Sequence, residues 1–255
     1  MLLALDMGNT NITLGIYEGK TLRLQSRMAT DRKKMVDQYA VELMDLLRLY
    51  HVEATAIDGA ILSSVVPPLN HVICGAVQKV TGLTPMLVGP GTKTGINIRI
   101  DNPAQLGADL LVGAAAAVAR VGAPCIVWDF GTATTVSVID REGAYRGGAI
   151  MPGVMTALNS LTESTSLLPN ISLDAPPRVI GTNTIHCLQS GAVFGTVAML
   201  DGMNARITEE LGYSAPVIVT GGLGRQIAAQ CSTPVTYVDE LLLEGLRLIY
   251  EKNRS

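Results

Sequence analysis

An α/β fold built from two similar halves is predicted by three features of the sequence. A strand, glycine turn, strand unit occurs twice, strand and helix patterns alternate between the copies, and 255 residues suit two domains of ordinary size. In the first copy the apolar run 2–5 ends at Asp6, passes a polar glycine turn and continues as the alternating segment 12–17 into Glu18-Gly19, a hairpin signal. The same order returns about half a chain later. Residues 125–128 lead into Asp129, a second glycine turn follows, and 136–139 run into Arg141-Glu142-Gly143. The repeat places the two halves at residues 1–115 and 116–255.

The remaining elements follow in order. Apolar residues recur at helical spacing over 36–49, a strand follows at 59–65, and the pair Pro67-Pro68 breaks it. Residues 70–82 read as helix and 85–88 as strand. The alanine-rich stretch 107–121 reads as a helix bridging the halves, its small side chains permitting close packing. In the second half, 154–161 and 184–210 read as helices, 217–219 as a short buried strand, and 239–250 as a closing helix. Alternating strands and helices argue for largely buried sheets.

Composition narrows the function classes. With 48% apolar and 16% charged residues the chain is too hydrophobic for disorder, and a homo-oligomer is expected. A formal charge of -3 without any Lys/Arg cluster argues against nucleic acid as a partner. Cys74, Cys125, Cys187 and Cys231 are far apart and form no CxxC pair, which points to a reducing compartment and no structural zinc. No leader pattern and no apolar stretch near 18 residues is seen, so a cytoplasmic protein without membrane contact is expected.

The chemistry sits in the turns. Asp6-Met7-Gly8-Asn9-Thr10-Asn11 joins a carboxylate to a glycine that lets backbone N–H groups approach a phosphate, with short polar side chains as extra donors. One such turn alone reads as an ordinary hairpin. Paired with Asp129-Phe130-Gly131-Thr132, it suggests two turns facing each other across a cleft and holding phosphates from either side, with Asp6 and Asp129 near Mg²⁺ or another counter-ion. Neither a G-x-x-x-x-G-K-[ST] loop nor a G-x-G-x-x-G after the first strand occurs. Thr220-Gly221-Gly222-Leu223-Gly224 follows a strand and opens a helix, where Gly221 and Gly222 could let an adenine and ribose lie on bare backbone; an ordinary strand-to-helix turn is the other reading. Asp109 stands at the start of the alanine-rich helix. It is read either as compensation of the helix dipole or as a general base for an acceptor hydroxyl.

With these segments in place the chain resembles the type III pantothenate kinases of the acetate kinase/sugar kinase/Hsp70/actin superfamily. The matching segments run co-linearly: D-M-G-N-T-N at 6–11, S-S-V-V-P-P at 63–68, V-G-P-G-T-K-T-G at 88–95, D-N-P-A-Q-L-G-A-D at 101–109, D-F-G-T-A-T-T at 129–135, G-G-A-I-M-P-G at 147–153, G-T-N-T at 181–184, Q-S-G at 189–191 and T-G-G-L at 220–223. The resemblance implies an actin-like ATPase fold of two ribonuclease-H-like halves with an interdomain ATP cleft. It implies ATP-dependent phosphorylation of pantothenate to 4'-phosphopantothenate, the first step of coenzyme A biosynthesis. ATP, bound with Mg²⁺, is implied at Asp6, Met7, Gly8, Asn9, Thr10, Asn11, Ile12, Thr13 and Thr132. Pantothenate is implied at Gly107, Ala108, Asp109, Leu110 and Thr184, with Asp109 as proton acceptor, K⁺ or NH₄⁺ at Asp129, and a homodimer that completes the substrate pocket. Two positions that face the acid substrate in the family pattern depart from it: Ile100 stands for a tyrosine and Leu110 for an arginine. The alternatives are therefore a nucleotide-binding, kinase-like paralogue with altered substrate or little activity, and a kinase for another hydroxylated metabolite.

Overall fold

The computed structural model describes residues 1–254. In chain order it contains β1 (Leu2–Met7), β2 (Asn11–Glu18), β3 (Thr21–Ala29), α1 (Val36–Leu49), β4 (Gly59–Ser64), α2 (Asn70–Thr81), β5 (Met86–Leu87), β6 (Asn97–Ile98) and α3 (Ala108–Val121). There follow β7 (Cys125–Phe130), β8 (Ala133–Ile139), β9 (Ala144–Pro152), α4 (Val154–Glu163), α5 (Thr184–Leu211), β10 (Val217–Thr220), α6 (Gly224–Ala228), β11 (Val235–Tyr237) and α7 (Leu241–Arg254). Contacts divide the chain into two compact units. One holds residues 1–96, 101–116 and the chain from Glu240 onward; the other holds 97–100 and 117–239.

The first unit is a five-stranded sheet in the order β3-β2-β1-β4-β5, with β1 antiparallel to β2 and parallel to β4. Period-two alternation sends Leu3, Leu5 and Met7 to one face, where they meet Ile12, Leu14 and Ile16 of β2 and the buried stripes of α1 and α2. The stripe on α1 is Tyr39, Leu43 and Leu47, spaced one helical turn apart. Leu2, Ala4 and Ile61 face the other way, against Val112 and Ala115 of α3 and Leu243, Leu246 and Ile249 of α7. That second layer is drawn in closely by glycines. A Cβ on Gly245 would run into the Val112 carbonyl, and one on Gly59 into the Tyr250 hydroxyl.

The second unit repeats the plan. Its six-stranded sheet runs β11-β10-β7-β8-β9-β6, and β7, β8, β9, β10 and β11 stand in the same order and sense as β1, β2, β3, β4 and β5. Ile126, Trp128, Phe130, Val136 and Val219 pack on Val154 of α4 and Val193, Val197 and Leu200 of α5. Trp128 stacks on Phe130 at 5.8 Å between centroids and donates its indole N–H to Asn204 Oδ1 at 3.0 Å.

Two ribonuclease-H-like halves are therefore what the chain folds into. β3, β6, β9 and β11 were not expected from the sequence. β9 carries Gly147 at φ +126° and Gly148, whose Cβ would strike the Val136 carbonyl, so Gly148 lets the strand pack closely on β8. The closing helix, assigned to the second half by its position in the sequence, groups with the first unit through the Leu243, Leu246 and Ile249 stripe.

Gly245→Ala is expected to lower stability by about 1–3 kcal/mol through overpacking against α3. Gly113→Ala, whose Cβ meets nothing within 4 Å, should be neutral or gain up to ~1 kcal/mol of helix propensity. Thermal melts of the two variants beside the parent decide whether close approach of α3 and α7 holds this layer.

Candidate active site

The turn after β1 is held from two sides. The Gly8 amide donates to the Asn11 carbonyl at 3.0 Å, and the loop after β3 staples the turn from outside. Thr30 donates its amide to the Thr10 carbonyl at 2.9 Å and its hydroxyl to the Gly8 carbonyl at 2.7 Å, and Arg32 reaches Asn9 Oδ1 at 3.1 Å. Asn9, Thr10 and Asn11 are exposed, while Ile12 is buried in the sheet core and Thr13 is half-buried. Met7 is fully buried under α1 and α2, so of the residues expected at ATP it and Ile12 offer only backbone.

The matching turn in the second unit gathers more of the chain. The Gly131 amide donates to the Ala133 carbonyl at 3.1 Å, and the Thr132 carbonyl accepts from the Gly153 amide at 3.1 Å and the Thr156 hydroxyl at 2.8 Å. Gly153 opens α4, and a Cβ there would strike the carbonyls of both Gly131 and Thr132. On the other side Gly221, at φ +90°, lies against Asp129 Oδ1 and the Phe130 backbone. Asp129, Thr132 and Gly221 are thus brought together, and Gly222 follows, exposed, on the same turn. Beyond it Tyr237 donates its hydroxyl to Asp239 Oδ1 at 3.0 Å, and the Arg225 guanidinium lies 4.7 Å from the Tyr237 ring centroid. Neither Gly153 nor Thr156 has a role in the sequence reading; the G-G-A-I-M-P-G segment is the signal for Gly153, and nothing in the sequence signals Thr156.

The glycines Gly8 and Gly131 differ in kind from Gly153 and Gly221. Neither has a left-handed φ, and a Cβ on Gly131 would meet only Ala133 O at 3.5 Å and Asp129 Oδ1 at 3.8 Å, ordinary contacts. At Gly131 the fold itself does not demand glycine, and a ligand approaching the backbone would; at Gly8 a Cβ would come within 3.3 Å of the Asn11 carbonyl oxygen, so the turn itself already favours glycine there. Ser63, Thr134 and Thr220 each bury a hydroxyl with no hydrogen-bond partner near the strand ends that carry the two turns. Among the described residues no three His, Cys, Asp or Glu side chains gather as a metal cage. A cation at Asp6 or Asp129 would be held through single carboxylates, phosphate oxygens and water, which suits Mg²⁺.

Asp109 lies in the first turn of α3, whose Val112 and Ala115 cover the sheet face that also carries Leu2 and Ala4. Its Oδ1 accepts the Leu110 amide at 2.8 Å, so the carboxylate folds back over its own helix start. A Cβ on Gly107 would occupy the position of that oxygen, which makes Gly107 the residue that gives the carboxylate room. Burial pushes the Asp109 carboxyl above its ordinary value, and the amides of Leu110 and of Asp109 itself only partly oppose this. Leu110 is half-buried beside Gly107. Ile100, half-buried after β6, groups with the second unit, as does Thr184, exposed at the first position of α5. There Asn183 caps the helix by accepting the His186 amide at 2.9 Å. The residues expected at the acid substrate therefore come from both units, Gly107 to Leu110 from the first and Ile100 and Thr184 from the second.

A family model described as type III pantothenate kinase matches residues 2–206. A type III pantothenate kinase of Exiguobacterium sp. is 45% identical over 256 residues, covering 100% of both chains. Among solved structures, a conserved Baf family transcriptional activator from Campylobacter jejuni superposes with TM-score 0.62 at 21% identity, covering 99% of this chain and 98% of its own. A Listeria monocytogenes protein described as an N-acetylmannosamine kinase superposes with TM-score 0.55 at 12% identity, covering 100% of this chain and 99% of its own. At such identities the two structures speak for the fold alone.

The raised Asp109 carboxyl makes a stability prediction with a definite sign. A carboxyl raised on folding contributes stability that is present below its unfolded value and lost as pH rises through the folded one. Asp109→Asn removes that loss, so at about pH 7 it should melt above the parent, with the gap closing toward about pH 4. A lower melting temperature at neutral pH would mean that the ionised carboxylate stabilises the helix start, the dipole reading of this residue.

Proposed function

The chain belongs to the type III pantothenate kinase family, and on that premise we propose how it transfers the γ-phosphoryl group of ATP to the primary hydroxyl of pantothenate, the first step of coenzyme A biosynthesis. The observation that carries the chemical reading is Asp109: a half-buried carboxyl raised by desolvation, with Gly107 beside its oxygen, in the first turn of a helix that packs on the sheet. Desolvation raises its affinity for a proton, as a general base requires. The acceptor hydroxyl gives its proton to Asp109 as its oxygen bonds to the γ-phosphorus, and ADP leaves with the bridging oxygen.

The backbone of Asp6, Met7, Gly8, Asn9, Thr10, Asn11, Ile12 and Thr13 and of Thr132 takes the nucleotide phosphates, and Gly221 and Gly222 the adenosine. Bound Mg²⁺ supplies neutralisation of phosphate charge. Asp129 would hold K⁺ or NH₄⁺, and pantothenate would lie against Ile100, Gly107, Ala108, Leu110 and Thr184. Leu110 cannot pair with the pantothenate carboxylate, so the acid end is bound by other donors or more weakly. The paralogue alternative is not favoured, because the full-length relatives at 43–45% identity are named as kinases of this type.

A homodimer is part of the proposal. α4 and α5 flank an apolar groove of about 490 Å³ lined by Val154, Leu158, Leu161, Leu188 and Met199, with Met155 and Ile185 exposed on the same helices. An apolar surface of this kind suits a second copy. No helix among the described residues is long and apolar enough to cross a membrane, and a cytoplasmic location accords with the reducing environment expected from the cysteines.

The direct test is steady-state kinetics with ATP, pantothenate and K⁺. The parent should form 4'-phosphopantothenate, and Asp109→Asn should lose about 10²- to 10⁴-fold in kcat while still binding ATP. In the parent, kcat/KM should fall on the acid side with an apparent value above the ordinary carboxylate range. Wild-type turnover by Asp109→Asn would remove the base. Leu110→Arg should lower the KM for pantothenate about tenfold, leaving that for ATP unchanged; an inactive, destabilised variant would instead favour a pocket reshaped for another acceptor.

A further inference from the structure

The two carboxylates Asp6 and Asp129 share a setting that the proposed roles leave unused. β1 and β4 run parallel with Asp6 opposite Ser63, and across the other edge of β1 Asp6 stands opposite Thr13 on β2. In the second unit Asp129 stands opposite Thr220 on β10 and Thr135 on β8. Residues paired in register on neighbouring strands project from the same face of a sheet. Each carboxylate is therefore flanked by one hydroxyl residue on either side, in the same arrangement in both units.

The hydroxyls on the parallel side are the unusual ones. Ser63 is 0% and Thr220 1% exposed, and neither oxygen has a hydrogen-bond partner. The adjacent Ser64 differs, since its hydroxyl accepts the Val66 amide at 3.0 Å. An unpartnered buried hydroxyl costs free energy, and packing alone would favour Ala at position 63 and Val at 220. The side chain in register beside each is a carboxylate, Asp6 for Ser63 and Asp129 for Thr220. That the same defect occurs at the same place in both units is not what packing would produce.

We propose that Ser63 and Thr220 are positioning residues: each donates its hydroxyl to the carboxylate beside it when that carboxylate turns toward a bound cation, and so fixes which oxygen it presents. A ligating carboxylate that is itself hydrogen-bonded is held in one orientation, and loss of such a partner typically costs 10- to 100-fold in metal affinity or activity. This gives the S-S-V-V-P-P and T-G-G-L segments a task within the nucleotide-binding part of the function above, on which it rests.

The test compares Ser63→Ala and Thr220→Val with the conservative Ser63→Thr and Thr220→Ser. Three quantities are read: the melting temperature without ligand, the MgATP affinity by calorimetry, and the Mg²⁺ and K⁺ concentrations needed for half-maximal turnover. The hydroxyl-free variants should melt no lower than the parent, because an unpartnered buried donor has gone. They should nevertheless bind MgATP, or require Mg²⁺ or K⁺, at about tenfold higher concentration, and the conservative variants should return to the parent's values. Unchanged affinity and cation requirement in both hydroxyl-free variants, or an equal loss in the conservative ones, would reduce Ser63 and Thr220 to packing atoms. If Ser63→Ala does not fold, Thr220→Val carries the same comparison. Nucleotide affinity needs no acceptor, so a parent that binds MgATP but does not phosphorylate pantothenate would defeat the proposed function and leave this inference readable.

Discussion

A carboxylate at the end of an otherwise buried strand, followed at once by a turn with no side chain over its backbone, is the constraint on which the rest depends. Asp6 follows four buried residues of β1, and Asp129 follows four of β7. Burying an ionised carboxylate is costly unless charges or donors meet it, so each strand end favours a cation and hydrogen-bond donors at its mouth. In the proposed site the turn beyond stays bare so that phosphate oxygens can reach its amides. Supporting segments enforce this from outside: Thr30 and Arg32 on one turn, Gly153, Thr156 and Gly221 on the other.

Using one unit twice answers a chemical need. A triphosphate carries charge over several oxygens, and phosphoryl transfer is governed by positioning and charge neutralisation more than by covalent help from the protein. Two turns of the same design can each take part of that charge. The proposed mechanism needs one further group, a base for the acceptor, and Asp109 on α3 is the residue assigned to it, at a cost in stability. Asp109 remains carboxylic acid chemistry in a desolvated place, with its charge raised in energy by burial.

Much of this was legible in the sequence because it lives in local chemistry. Strand, carboxylate and glycine turn recur in both halves with little else between them, and the bounds of α1 read from periodicity are those it has. What escaped depended on tertiary contacts. β3 is an edge strand with only Leu24 and Met28 buried, so its alternation is weak, and β9 holds two adjacent glycines, which are poor strand formers. The grouping of α7 with the first unit turns on Gly59 and Gly245 receiving Tyr250 and Val112, a match between residues far apart in the chain. The role of Gly153 was hidden for the same reason: it is a glycine because of the carbonyls of the second turn, about twenty residues earlier. The hydroxyls of Ser63 and Thr220 become visible only when strand register pairs them with Asp6 and Asp129.

The central claim is that both turns serve one bound nucleotide. Amide hydrogen exchange with and without MgATP tests it most directly, because it reads the turn amides without altering a residue. The account predicts that residues 8–11 and 131–133 gain protection together, at the same nucleotide concentration. Protection confined to one turn, with exchange at the other unchanged under saturating nucleotide, would contradict it.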